Sequence, residues 1–266
     1  MAMSSSLLTL LLLAPTFGYP QDEDSLIGGK TRAWFAKLSG HMETNDIGIT
    51  NDISLDGDLG FGGQEVLPDF SAWVQLPFLP VIDRINFSYW AGSFEETNIL
   101  EKKITFGNIT FNLGADLDSK LDFSLLSFSL EHYFLSSGNR DLGCTMGVLL
   151  GVKFIEAEAV LEANDFGLRE KQSIEAPFPV LGFRALVNLT KWVTIELEMV
   201  GSGGKYGDLG GTYFEWFLET SYRPLDWIHV ALGFKSVLFG MQDDSANEFE
   251  AKMRLEGLFF SVGIEF

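Results

Sequence analysis

Apolar and polar residues alternate with period two in ten stretches of the chain, a spacing that suits strands and no helix. Trp34, Ala36, Leu38 and Met42 alternate with Phe35, Lys37, Ser39 and His41. Phe70, Ala72, Val74 and Leu76 follow, and then Ile85, Phe87, Tyr89 and Ala91 stand against Arg84, Asn86 and Ser88. A fourth stretch holds Leu121, Phe123 and Leu125 and then slips by one residue to Leu126, Phe128 and Leu130. Such a slip predicts a β-bulge at Leu125 and Leu126. The fifth runs from Cys144 through Val148 and Leu150 to Phe154, the sixth from Leu181 to Val187, and the seventh from Val193 to Met199. Phe214, Trp216 and Leu218 oppose Glu215 and Glu219 in the eighth, and Ile228 to Phe234 oppose His229, Gly233 and Lys235 in the ninth. The last begins at Phe249 and changes phase near Gly257, a second expected bulge, before closing on Leu258, Phe260, Val262, Ile264 and Phe266.

The gaps between these stretches alternate as well. Long ones, centred on 43–69, 93–118, 156–175, 202–211 and 240–248, exchange with tight ones at 79–82, 135–141, 190–191 and 223–226. That rhythm predicts an all-β fold, a single antiparallel up-and-down transmembrane β-barrel of about ten strands, with the tight turns at one end. Two long gaps hold their own turn signals, Asp56-Gly57 between Ile53 and Phe61 and Gly107-Asn108 between Ile104 and Phe111. Their arms fall short of the roughly 9 to 11 residues that a spanning strand needs, so they read as loop hairpins. About 8 or about 12 strands are the alternatives.

The alternating, aromatic-terminated end at Phe266 resembles that of Gram-negative outer-membrane β-barrel proteins, which finish on a strand of this kind that the barrel-insertion machinery reads. The resemblance is to the class and to no narrower family, and it implies a bacterial outer-membrane location. It extends to the start of the chain. Residues 1–18 hold the uncharged run Leu10 to Leu13 with small residues at Thr16 and Gly18, and are expected to be a signal peptide. Residues 19–31 are then an N-terminal periplasmic segment and 32–266 the barrel. No later segment has the 18 or so unbroken apolar residues of a spanning helix. Cys144 is the single cysteine, so no intramolecular disulfide supports the fold. A closed barrel supplies stability another way, by pairing its backbone groups between strands.

With the apolar positions facing lipid, their neighbours face the lumen. The candidate lumen lining is Lys37, Arg84, Glu131, Lys153, Arg184, Glu196, Glu198, Glu215, Glu219, Lys235, Lys252 and Arg254. His41, Asp122, Glu250 and Glu256 fall on the same assumed face. Acids and bases nearly balance there, so the net charge of −19 belongs mostly elsewhere. A barrel of about ten strands is little wider than the 8-strand size that side chains fill, which excludes a broad diffusion pore. Outward Trp and Tyr residues, Trp34, Trp73, Trp90 and Tyr213 among them, are expected to form interfacial girdles.

These features point to a non-enzymatic barrel, either structural or a narrow porin-like path for a small solute or ion. A lipid-modifying hydrolase is the first alternative, with Ser39 and His41 as the pair available at the outer rim. A soluble periplasmic barrel with an apolar ligand is the second. No cofactor motif or zinc spacing is present, and the acidic balance excludes nucleic acid as a partner. The expected partners are outer-membrane lipid and lipopolysaccharide, and the acidic loop 43–69, with Glu43, Asp46, Asp52, Asp56, Asp58, Glu65 and Asp69, is a candidate for divalent cations.

Overall fold

The computed structural model describes residues 26–46, 49–79, 81–107, 109–138, 141–163, 167–206, 209–243 and 248–266. The expected signal peptide lies outside the described residues. The strands are β1 (Ile27–Asp46), β2 (Ile49–Ser54), β3 (Gln64–Gln75), β4 (Arg84–Ile99), β5 (Ile104–Phe106), β6 (Ile109–Phe111) and β7 (Asp116–Gly138), followed by β8 (Gly143–Ala163), β9 (Leu168–Thr190), β10 (Val193–Tyr206), β11 (Leu209–Leu225), β12 (Ile228–Asp243) and β13 (Glu248–Glu265). Among the described residues, β1, β3, β4 and β7 to β13 pair in sequence order, and β13 returns to β1, so that ten antiparallel strands close a barrel. The barrel wall begins at Ile27 instead of residue 32, because the run from Ile27 already pairs with β13 on one side and β3 on the other.

Closure leaves each wall strand with one face inside and one outside, but the polarity of the two faces is not constant along the axis. Towards the short turns, the outer face is apolar: Phe70, Leu150, Leu181, Leu232 and Leu258 are all more than half exposed. Towards the long loops the outer face turns to Lys37, Lys120, Asp122, Glu156, Lys252, Arg254 and Glu256, while Trp34, Leu38, Leu121, Phe123, Ile155, Phe239 and Leu255 are buried inside. The inversion falls at one level around the wall. Phe35 pairs with Leu258 and Lys37 with Glu256; Leu126 pairs with Phe154 and Ser124 with Glu156.

This inversion replaces both expected bulges. The register of β7 with β4 and β8 runs unbroken through Leu125 and Leu126, and that of β13 with β1 runs unbroken through Gly257. The apolar residues change face because the surroundings change, from an outer apolar belt to an apolar interior. β7, β8 and β9, at 23, 21 and 23 residues, are about twice the roughly 9 to 11 that cross a bilayer, so their upper halves stand clear of the belt.

The long-loop end is covered from within. β5 and β6 form a separate hairpin around Gly107, which takes φ +56°, and they bury Ile104, Phe106 and Phe111. The Asp56-Gly57 turn is not a self-paired hairpin, since β2 pairs with β1 and Ser54 to Phe61 fold into successive turns. Asn98 Nδ2 donates to the carbonyls of Gly57 and Asp58, both at 3.1 Å, and holds this segment against β4. Leu55, Leu59 and Phe61 are thereby buried beneath it.

Candidate functional site: an ion-paired lumen and a vestibule

Inside the apolar belt the lumen holds charged side chains from β1, β3, β4 and β7 to β12. Strand alternation aims them inward, and closure brings distant parts of the chain together. Lys30 of β1 reaches across to Glu196 of β10 at 3.3 Å and Glu219 of β11 at 3.0 Å. Arg32 Nη1 lies 3.2 Å from Asp69 and its Nε 3.5 Å from Glu219. Asp69 also meets Lys235 at 2.9 Å, and Lys235 meets Glu215 at 3.2 Å. Glu215 accepts from Lys153 and from the Tyr213 hydroxyl. On the other side Arg184 joins Glu196, Glu131 (3.0 Å) and Glu198 (3.8 Å), and Arg84 Nε stands 3.9 Å from Glu131.

Lys30, Arg32, Arg84, Lys153, Arg184 and Lys235 thus face Asp69, Glu131, Glu196, Glu198, Glu215 and Glu219, six charges of each sign in one connected network. Removing one member strands its partners, which is more costly in a low dielectric than the pair itself is favourable. Aromatic rings pack over the cations. Lys235 Nζ is 4.9 Å from the Trp34 ring centroid and 5.6 Å from that of Trp90, and Lys153 Nζ is 5.2 Å from Tyr213. Arg32 lies 5.1 Å from Phe217 and 5.4 Å from Phe259. Trp34, Trp90 and Tyr213 form part of the floor of the apolar upper core and Trp73 lines the lumen at the short-turn end, so all four are lumen residues and not girdle residues. Tyr89, Trp192, Tyr222 and Trp227 do lie on the outer side.

The sequence-derived lining divides accordingly. Arg84, Glu131, Lys153, Arg184, Glu196, Glu198, Glu215, Glu219 and Lys235 come together in the network. Lys37, Lys252 and Arg254 do not: they are exposed on the outer face above the belt, with Lys252 paired to Glu250 and Arg254 Nη1 3.8 Å from Glu256. Their strands were assigned the wrong phase because the upper interior is as apolar as the lower exterior. The same error placed Ser39 and His41 in the lumen, whereas both alternate outward with buried Leu38 and Met42, and His41 Nε2 is 4.0 Å from Glu43. Lys30, Arg32 and Asp69 were missed. The signal was there, since Lys30 and Arg32 alternate with Ala33 and Phe35, and Asp69 sits between Pro68 and Phe70.

Asp69 belongs to the lumen, Asp58 pairs with Lys102 at 2.7 Å, and among the described residues no group of three or more His, Cys, Asp or Glu is disposed to hold a metal.

Among the described residues, cavities interrupt the filling at two levels at least. One of about 60 Å³ lies within the ionic layer between Ser71, Ser88, Ser129 and Lys235, room for water alone. The other, about 270 Å³, lies at the short-turn end, with Lys30, Arg184 and Glu219 at its inner wall and Ser137, Gly143 and Asp226 at its rim.

Neither a family model nor a curated relative matches the chain. Solved structures do. The outer membrane protease OmpT from Escherichia coli superposes with a TM-score of 0.59 at 9% identity, covering 95% of this chain and 100% of that one. Looser likenesses include the transport unit of the autotransporter AIDA-I from Escherichia coli, with TM-score 0.42, 9% identity and 98% of each chain covered. Another is the attachment invasion locus protein Ail of Yersinia pestis, with TM-score 0.33, 10% identity, 88% of this chain and 98% of that one. At these identities the likeness concerns architecture alone: the chain has the fold of outer-membrane β-barrel proteins, and no narrower family is shown.

Proposed function

We propose that the protein is an integral barrel of the bacterial outer membrane, non-enzymatic and closed to solutes, which carries a rigid, polar-surfaced collar beyond the bilayer. Its apolar belt would meet the outer-membrane lipid, and the collar would stand among lipopolysaccharide headgroups. The tight turns would lie in the periplasm, the side from which the insertion machinery receives the terminal strand. The observation that carries the reading is the packed upper lumen, where Trp34, Leu38, Leu255 and Phe259 have no exposed surface. A solute passing along the axis would have to displace this core as well as the ionic layer beneath it.

Conductance of the refolded protein in a planar bilayer tests the proposal. Wild-type protein is expected to give no discrete current steps; reproducible steps at modest voltage would replace the closed barrel with the narrow channel. A lipid hydrolase remains the second reading because Ser39, His41 and Glu43 share the outer face just above the belt, at headgroup height. Hydrolysis of phospholipid or lipid A by the wild type that vanishes in His41→Ala would favour it.

A further inference from the structure

The 270 Å³ vestibule lies at the short-turn end of the described lumen, and most of the unpartnered polar atoms of its lining are donors. Among the described residues, the buried polar atoms of its lining without a partner are Arg84 Nε, Arg184 Nε, Arg223 Nε, His229 Nδ1 and Glu219 Oε2. Three are obligate donors carrying guanidinium charge, and the imidazole nitrogen donates in one tautomer. The lone acceptor, Glu219 Oε2, has Arg32 Nε 3.5 Å away.

The carboxylates around the space are already engaged. Glu196 is shared by Lys30 and Arg184, Glu219 is held by Lys30, and Glu265 lies 3.3 Å from Arg223 Nη2. Asp83 accepts from the Tyr133 backbone N–H at 2.6 Å and faces His132 Nδ1 at 2.9 Å. Arg84 hydrogen-bonds to Tyr133 and has no carboxylate at close range. Its carboxylate contact is 3.9 Å, to the Glu131 oxygen that Arg184 (3.0 Å) and Asn86 (3.1 Å) already use. Its guanidinium carbon also lies 4.5 Å from the Trp73 ring centroid, beside the cavity.

We infer that the vestibule is a binding site for a small soluble oxyanion, a carboxylate or a phosphate, with Arg84 as the principal ligand-binding group and Arg184, Arg223 and His229 completing the donor set. Charge-assisted hydrogen bonds to an oxyanion satisfy donors that would otherwise remain unpaired at high cost. The volume falls just below the roughly 300 to 1,000 Å³ of sites for drug-sized ligands, which limits the occupant to phosphate or a small organic acid. The site lies below the apolar core and requires no passage through the barrel, so it stands or falls independently of the conductance result.

Isothermal titration of the refolded protein in detergent micelles tests it, with inorganic phosphate and acetate as probes and methylammonium chloride as the cationic control, all at fixed ionic strength. Saturable binding of at least one anion is expected, with none of methylammonium. Arg84→Gln and, at the rim, Arg223→Gln should each weaken it roughly tenfold to a hundredfold, as loss of a charged hydrogen-bonding group does. The outer-face variant Lys120→Gln should leave it unchanged. Binding should also alter tryptophan emission in the wild type but not in Trp73→Phe, a readout available even if one arginine variant fails to fold. Absence of saturable anion binding, or binding that persists in folded Arg84→Gln and Arg223→Gln, would mean that water alone fills the space and would overturn the assignment.

Discussion

Lys235 places its ammonium 4.9 Å from the ring of Trp34 and 2.9 Å from the carboxylate of Asp69, joining the lower, ionic half of the lumen to the upper, apolar half. One side chain meets both fillings, and the properties of the barrel follow from what lies on either side of it.

Below this junction the network should be intolerant of single neutralisation. Asp69 lies between Arg32 and Lys235, so Asp69→Asn leaves two buried cations short of a counter-charge. The expected loss is about 3–5 kcal/mol, the cost of breaking a buried pair. Urea unfolding of the refolded barrel in lipid vesicles measures it, and a loss under about 1 kcal/mol would show that water compensates the cations, contrary to the buried-pair account.

Above the junction the lumen should behave like the core of a soluble protein. Trp34 is fully buried and meets Trp90 edge to face at 5.6 Å. Truncation in Trp34→Ala is expected to cost about 3–5 kcal/mol through lost burial and the cavity left behind. The same unfolding assay reads this, and a near-neutral result would mean that the upper lumen is loosely filled.

The axial inversion makes opposite forecasts for two outward positions on one strand. Leu150 lies in the belt, 62% exposed, and Glu156 lies further along β8 on the same face. In vesicles Leu150→Arg should cost about 2–4 kcal/mol if it sits near the bilayer midplane. Glu156→Arg should stay within about 0.5 kcal/mol, as exposed substitutions do. Equal penalties at both sites would contradict a belt that ends between Phe154 and Glu156.

Gly257 also distinguishes a continuous strand from a bulge. A methyl group there would drive into the backbone carbonyl of Phe35 on the neighbouring strand, which cannot move without breaking the β1–β13 ladder. Gly257→Ala is therefore expected to cost about 1–3 kcal/mol, in the range of overpacking. A bulged strand would accommodate the methyl group with little loss, so a negligible change would restore the bulge.

The architecture was legible because it depends on local patterns. Period-two alternation, tight turns exchanged with long gaps and the Phe266 ending are each encoded within a few residues, and together they predict a barrel of about ten strands, within a range of about 8 to 12. The belt positions from Leu181 to Val187, Val193 to Met199 and Ile228 to Phe234 were assigned to the outer face for the same reason, as were the inward Arg184, Glu196 and Lys235. Lys37, Lys252 and Arg254 were misplaced because alternation gives the period of a strand but not its sign. On β1 both faces are apolar near Trp34 and Phe35, and nothing local says which one looks outward. The two supposed bulges came from the same ambiguity: a slip of hydrophobic phase in sequence looks alike whether the backbone changes register or the solvent changes around a straight strand.

By itself, then, the chain determined that it would form strands, that about ten of them would close, and that one half of the closed surface would be greasy, since each of these follows from residue spacing and turn chemistry; the exact count came from closure. Which side of each strand faces inward above the belt was settled by closure alone, because only a sealed wall makes Trp34 and Phe259 neighbours of Lys235 and Arg32. The salt-bridge network and the vestibule belong to that second category. Their members, from Lys30 to Lys235, are scattered over most of the sequence and acquire partners only when nine strands aim them at a common axis.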